Sequence, residues 1–522
     1  MRKTEACSRN FEKFQLFYPV SGFSVEKLLE KCYITPDSQP GGVTMKFYKI
    51  ALAVSAVTAI LPLLADGIYQ KNAPPVPKSD FDMFLYRQWQ EQKITPANEA
   101  ADCVMVRRLY IDLVGRVPTP QEALAYINCK QKKKQQILVQ ELLESEEHAM
   151  FMTMRLGDEL RIKSEFPINL WPNATFLYTR TIHNALRTNM PFNEFAGKLI
   201  LSDGSNFRNG YANFFRAVPQ KNTPEIANSF ARFLLGKNLN ELPEAVQKRF
   251  TNTFAHIRFK STREWKEEIV YSTVPYSAGN DPRIEFAKDI LNSPEFARTA
   301  VRRTWRWIFG SCDVDDKIIE ELATDFKEIK HFNLRSLLYE ICTSAAYRVG
   351  SFHDGDYQKT IKFAAVYPVR RLDAEVLADS IAQITGAPYS YSSVIPEPFS
   401  YYHNRAAELP DGSITDQFLL LFGRPSRDTG NWNERKSEIT ADQRLYLFNS
   451  TDLNSRLQKL LSHKLKKEKD KFNALYLLFY SRTPSKEEQE IFNAMGKKIK
   501  SWNLLARMPW VLLNSKEFLY QH

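Results

Sequence analysis

Residues 106–122 read VRRLYIDLVGRVPTPQE, and the rest of the chain is best read outward from them. Helical periodicity runs from Ala97 to Val114, behind the Thr95-Pro96 pair. Thr119, Pro120 and Glu122 then form a helix start: a hydroxyl cap, proline at the first helical position and an acid in the first turn. The stretch reads as a helix, an Arg-x-Pro-Thr turn and a capped helix.

The same unit recurs near the other end. Leu109-Tyr110 through Arg116-Val117-Pro118-Thr119 to Glu122 aligns without gaps on Leu475-Tyr476 through Arg482-Thr483-Pro484-Ser485 to Glu488. Matching tails follow at Leu142-Leu143-Glu144-Ser145 and Leu512-Leu513-Asn514-Ser515. Related tails stand at Ile290–Ser293 and Ile341–Ser344. Units of this kind bury their apolar faces against one another, and two copies are too few for a solenoid.

Further helical segments are predicted at 80–92, 132–144, 146–163, 174–188, 222–235, 283–309, 314–329, 333–346, 370–385, 438–462, 469–480, 485–499 and 502–516. Residues 237–281 are less regular, with a short strand at Glu268–Thr273. A Pro-, Tyr- and Ser-rich loop fills 387–415. The fold expected is mostly α and multi-helical. It comprises two helical domains, 80–236 and 282–522, joined by a short irregular or β-containing connector at 237–281.

The chain has 522 residues, 43% of them hydrophobic, enough for packed cores. Net charge is +11, of which +3 belongs to residues 1–65. That surplus favours anionic partners: acidic glycans, lipid headgroups or nucleic acid. The tight run Lys130–Lys134 reads first as a solvated helix start.

Met45–Ala65 reads as a secretory signal. Lys46 and Lys49 precede an apolar region, Ile50–Leu64, that is too short for a typical membrane span. Export to the periplasm or the medium is expected, with an uncleaved anchor at 50–65 as the alternative. Residues 1–44 read as an upstream extension before the true start at Met45, and 66–79 as a Pro-rich linker. Cys103, Cys129, Cys312 and Cys342 show neither CxxC nor metal-ligand spacing, and no HExxH occurs. No metal and no cofactor are expected. Export would permit disulfides; unpaired thiols in helices are an equal reading.

The densest charge lies in residues 418–449, FLLLFGRPSRDTGNWNERKSEITADQRLYLFN. Arginines grip carboxylate, sulfate or phosphate through paired N–H bonds. This makes Arg424, Arg427 and Arg435, with Arg370 and Arg371, candidate anion-binding residues. Glu434 and Asp428 are the candidate catalytic carboxylates. A buried salt-bridge network holding the Gly423 turn explains the same residues without a ligand. Asp158 and Arg161, three apart on an expected helix, read as a structural ion pair.

A family pattern emerges from the ordered motifs. Val106 to Leu113 with Gly115, Pro118, Thr119, Pro120 and Glu122 resembles the cytochrome-associated domain of unknown function fifteen forty-nine of planctomycete-type secreted proteins. Asp158, Arg161, Asn189–Phe192, Phe195, Asp203 and Phe233–Gly236 continue it. Asp281–Arg283, Asn292–Arg298, Trp305–Gly310, Tyr367–Leu372, Phe422–Arg427, Glu434-Arg435, Leu447–Asn449 and Leu513–Phe518 resemble its partner, domain fifteen fifty-three. The resemblance implies an exported protein of unknown activity. Many relatives carry a CxxCH haem motif after the Phe-Leu-Gly-like segment. Here Lys237–Leu242 has no cysteine, so covalent haem does not carry over.

Three functions stand in order. The first is a non-catalytic exported protein binding an anionic glycan or a partner protein through the arginine cluster. The second is a polysaccharide hydrolase or lyase using Glu434 and Asp428. The third is a redox-associated protein that has lost its haem site. Nucleic acid is not an expected partner, and membrane contact is expected only through the signal or anchor.

Overall fold

The computed structural model describes residues 67–274, 279–395, 404–498 and 501–522. The expected upstream extension (1–44) and the expected signal (45–65) lie outside the described residues. Within them are 24 α-helices and five short strands, the mostly α fold that the periodicity predicts. β1 (Gly204–Ser205), β2 (Ile257–Ser261) and β3 (Glu268–Ser272) form an antiparallel sheet in the order β1-β3-β2. β2 and β3 lie in the segment read as connector. β4 (Arg370–Arg371) pairs with β5 (Tyr520–Gln521).

Local chemistry sets the helix starts. Thr119 accepts from the Glu122 amide, as expected of the cap, and the first-turn Glu122 carboxylate accepts in return from the Thr119 amide. All four tail serines act alike. Ser145, Ser293, Ser344 and Ser515 each donate Oγ–H to the carbonyl three residues back, closing one helix. Each also accepts from the amide three residues on, opening the next.

That device corrects several boundaries. The expected helix 283–309 is two, Pro282–Leu291 and Pro294–Phe309, because Ser293-Pro294 stops one and caps the other. The expected helix 438–462 begins at Ala441 and breaks at Ser450. Helix 146–163 ends at Glu159, and Arg161 sits in the left-handed region at φ 55°. Helix 370–385 starts at Ala374, since Arg370 and Arg371 are spent on β4. The irregular 237–281 segment contains a helix, Glu244–Phe254, whose Phe250 and Phe254 pack against Phe286.

Residues 66–522 form one compact unit. The Asp102–Val114 helix is its axle: nearly every side chain on it is buried, including three charged ones. Arg107 donates to the carbonyls of Phe479 (2.7 Å) and Phe518 (3.0 Å), and Arg108 to those of Tyr347 (2.9 Å) and Val349 (2.8 Å). Asp112 accepts from Tyr347 Oη (2.8 Å), Tyr367 Oη (3.1 Å) and Gln521 Nε2 (2.8 Å) and pairs with Arg370. Burial nonetheless raises the Asp112 pKa above the ordinary carboxylate value. Residues 67–79 lie along this body: Tyr69 is buried and donates to Glu517 at 2.8 Å, and the Val76 carbonyl accepts from Arg348.

Candidate functional site

The 418–449 arginines do cluster, and they cluster inside the protein. The short Gln417–Leu421 helix leads into Gly423, whose φ of +87° turns the chain. A Cβ there would lie 2.1 Å from the Lys436 carbonyl oxygen, so only glycine lets the two backbone strands approach. Arg371 holds the same turn, donating to the carbonyls of Phe422 (2.8 Å), Lys436 (2.8 Å) and Ser437 (3.2 Å).

Beyond the turn, Arg427 runs into the body through the space left by Gly412, where a Cβ would approach its Cδ to 2.8 Å. Its Nε meets Asp158 Oδ1 at 2.9 Å. Its remaining nitrogens reach the carbonyls of Ile162 and Met154. Arg435 bridges two carboxylates: Nη2 to Asp158 Oδ2 at 2.7 Å, and Nη1 to Glu375 Oε2 at 2.6 Å. Arg424 donates to the Ile414 and Asp411 carbonyls, with its Nε 3.6 Å from Glu375 Oε1. Arg155 closes the group on Asp373 at 2.6 Å.

Electrostatics follow from burial. Glu375 is fully buried, which alone would raise its pKa; Arg435 and Arg424 outweigh that and hold it below the usual carboxylate value. Asp373 is held well below it by Arg155 and Arg435, again against burial. Burial lowers Arg424, whereas Glu375 and Asp158 raise Arg435 despite burial. The result is an internal lattice of fixed charge. Neither of the two cavities described is lined by any of its members.

The structure places the other sequence candidates elsewhere. Asp428 pairs with Lys163 at 2.7 Å. Glu434 accepts from the amides of Asp428 (3.2 Å) and Thr429 and from Ser426 Oγ (3.3 Å), so it caps its own loop. The two carboxylates therefore share a loop, and each already has its partner. Arg370 turns to Asp112 and the Ile308 carbonyl. Arg161 does not pair with Asp158, because the helix ends between the two residues and its face with it. Its guanidinium donates to the Ala217 carbonyl (3.0 Å) and Ser229 Oγ (3.1 Å), and burial lowers its pKa to about 10. In the Tyr-rich 387–415 loop, Tyr389 is buried against Phe418 and Tyr391 against Tyr389, so both cover core. Tyr401 and Tyr402 lie outside the described residues.

Arg155, Asp158, Asp373 and Glu375 are the members that sequence reasoning did not place in the cluster. Asp373 and Glu375 stand at the start of the Ala374–Thr385 helix, where acids are ordinary, and nothing local marks Arg155. Among the described residues no group of three or more His, Cys, Asp or Glu side chains could hold a metal ion. No disulfide joins Cys103, Cys129, Cys312 and Cys342, which are free thiols.

PSCyt2, a protein of unknown function (DUF1549), matches residues 80–253. PSD1, a protein of unknown function (DUF1553), matches residues 282–495. The chain is a PSCyt2–PSD1 protein. No curated protein and no solved structure matches it. The charge lattice straddles the two segments of this PSCyt2–PSD1 protein. Asp158 and Arg155 come from the first; Asp373, Glu375, Arg424, Arg427 and Arg435 come from the second. It is thus a joint between the halves.

Proposed function

We propose that this PSCyt2–PSD1 protein is an exported, non-catalytic binder of an anionic polymer that uses surface lysines, with the arginine cluster acting as its internal frame. One observation carries the reading: the arginines expected to grip an anion already hold carboxylates and carbonyls, while lysines remain in solvent. Lys466, Lys467 and Lys469 are exposed after the Leu460–Lys464 π-helical turn, as are Lys130, Lys132 and Lys133. None of the six is in an ion pair among the described residues. Strongly solvated ammonium groups suit loose, salt-sensitive contact with a charged chain better than geometric recognition. The hydrolase and redox alternatives gain no support from this geometry.

The test is binding of the full chain to a sulfated polysaccharide (heparin) and to neutral dextran, across a salt series. Heparin alone should bind, affinity should fall with salt, and polymer length should stay unchanged. Lys466→Glu/Lys467→Glu/Lys469→Glu should weaken binding at least tenfold. Equal binding of dextran, or shortening of the polymer, would overturn the reading.

A further inference from the structure

Three separate loops bring exposed apolar tips together. Residues 163–171 fold back on themselves, with the Trp171 amide donating to the Ser164 carbonyl (3.3 Å) and the Asn169 amide to the Glu165 carbonyl (2.8 Å). Phe166 stands near the turn, 80% exposed. The carboxylate of its neighbour Glu165 accepts from the amide of Val394 (3.1 Å) and Ser393 Oγ (2.9 Å), which brings in Val394, 90% exposed. Trp171 meets Trp265 at the tip of the β2–β3 hairpin, with ring centroids 4.4 Å apart, and Trp265 is 69% exposed.

The loop is held this way at a cost. Arg161 and Asn169 both lie at φ 55°, and Trp171 at φ 72°, ψ 150°, a region that essentially only glycine occupies. Arg216 fastens it to the sheet, donating to the carbonyls of Ile168 (3.2 Å) and Asn169 (2.8 Å) while pairing with Glu268. Large apolar side chains left in water on a fastened, strained loop mark an interaction surface. Its rim carries a basic surplus: Arg263 and Lys266, close to Trp265, are exposed with no ion pair among the described residues, and the intervening Glu264 is matched by the exposed Arg208 at 3.4 Å.

Exposure decides what the surface takes. A ring on which a sugar stacks lies against the protein and shows one face. Phe166, 80% exposed, shows nearly all of itself, and Val394 has no ring to offer. Protruding Phe, Trp and Val side chains ringed by cations fit a bilayer interface, where apolar tips enter the acyl boundary and basic residues meet phosphates. We propose that Phe166, Trp265 and Val394 form a docking face for an anionic lipid surface, a contact separate from the polymer-binding lysines and from residues 50–65.

The full chain is mixed with vesicles containing brominated phosphatidylglycerol or brominated phosphatidylcholine, and tryptophan quenching is recorded. The chain has eight tryptophans, so the part of the quenching lost in Trp265→Phe is what reports on Trp265, whatever residues 50–65 contribute to attachment. Phosphatidylglycerol should give a quenchable component that falls at least twofold in Trp265→Phe. In Phe166→Ser/Val394→Ser it should fall at least threefold with the thermal midpoint unchanged. Arg263→Glu/Lys266→Glu should abolish the preference for phosphatidylglycerol. No quenchable component at Trp265, equal quenching by both lipids, or a Trp265 signal that follows soluble heparin but not vesicles would each overturn the proposal. Loss of heparin binding in the lysine variant, with quenching intact, would separate this face from the polymer site.

Discussion

Arg116 and Arg482 hold matching partners at the two ends of the chain. Arg116 grips Glu122 through both oxygens (2.8 and 3.0 Å) and also reaches Glu147. Arg482 grips Glu488 in the same way (2.7 and 2.8 Å) and also reaches Glu517. Glu122 and Glu488 are the capping acids of the two Arg-x-Pro-Thr/Ser turns. Glu147 and Glu517 each stand two residues after a tail serine. A tyrosine ring lies under each guanidinium, Tyr110 at 5.0 Å and Tyr476 at 5.2 Å. The sequence echo is therefore one three-helix joint built twice, with an arginine as its pin.

The two pins should not be worth the same. Arg482 and Glu488 are almost wholly buried, whereas Glu122 and Glu147 are about a third exposed. Removing one partner of a buried pair costs about 3–5 kcal/mol, and water softens the loss at a partly open one. Arg482→Ala should destabilise the protein by that amount, and Arg116→Ala by clearly less. Urea unfolding of both variants checks the order.

Asp158 is the strut between the PSCyt2 and PSD1 segments. Asp158→Asn leaves Arg427 buried with only carbonyls for partners, at a cost of about 3–5 kcal/mol. Adding Arg427→Met should recover part of that, since an apolar chain needs no counter-charge; additive losses would contradict the pairing. Heparin affinity should be unchanged in Asp158→Asn once the protein is folded.

Native alkylation should distinguish the thiols. Cys342 is fully buried in the Leu334–Thr343 helix, and burial pushes its pKa well up. Cys103 is pushed up to about 11, chiefly by burial. Iodoacetamide at pH 8 should therefore leave Cys342 unmodified until denaturant is added, with Cys103 reacting slowly. Mass spectrometry reads both.

The readable parts of this fold were those encoded within a few residues. The Thr119–Glu122 cap, the tail serines and the 268–272 strand need only neighbours, so spacing alone reveals them. The Asp158–Arg161 pair failed for a local reason: the helix stops at Glu159 and a left-handed Arg161 turns away. The lattice partners were hidden because they are distant in the chain. Nothing near Asp158 announces Arg427 or Arg435, and only folding carries Glu375 to Arg424. Density of charge in 418–449 did mark the right stretch, but charge density cannot separate an open anion clamp from a closed joint. The aromatic tips were invisible for the same reason, since exposure is a property of the fold.

His148 and Asp379, both buried, should make opposing contributions to the pH dependence of stability. His148 is wholly buried, its Nδ1 2.8 Å from the Leu113 carbonyl, and burial lowers its pKa to about 4 from 6.5. The unfolded chain then binds the proton more readily, so His148 contributes stability above pH 6.5 that is lost as pH falls through 4. Asp379 holds the amides of Ala406 (2.6 Å) and Ala407 (3.2 Å), yet burial raises its pKa from 3.8 to about 7. Here the folded state binds the proton more readily, so its contribution is full below pH 4 and lost as pH rises through 7. Each shift corresponds to roughly 3–4 kcal/mol at the 1.36 kcal/mol per unit of linkage. Wild-type stability should therefore change little between pH 4 and 7 on account of this pair. A third group, His522, is lowered to about 3 chiefly by burial and acts in the same sense as His148, so the variants are read against wild type. Asp379→Asn should make the slope of stability with pH more positive across that window, and His148→Gln should make it more negative. Urea midpoints at pH 4.5, 5.5 and 6.5 measure the slopes of both variants and wild type, and changes of the same sign in the two variants would contradict the assignment.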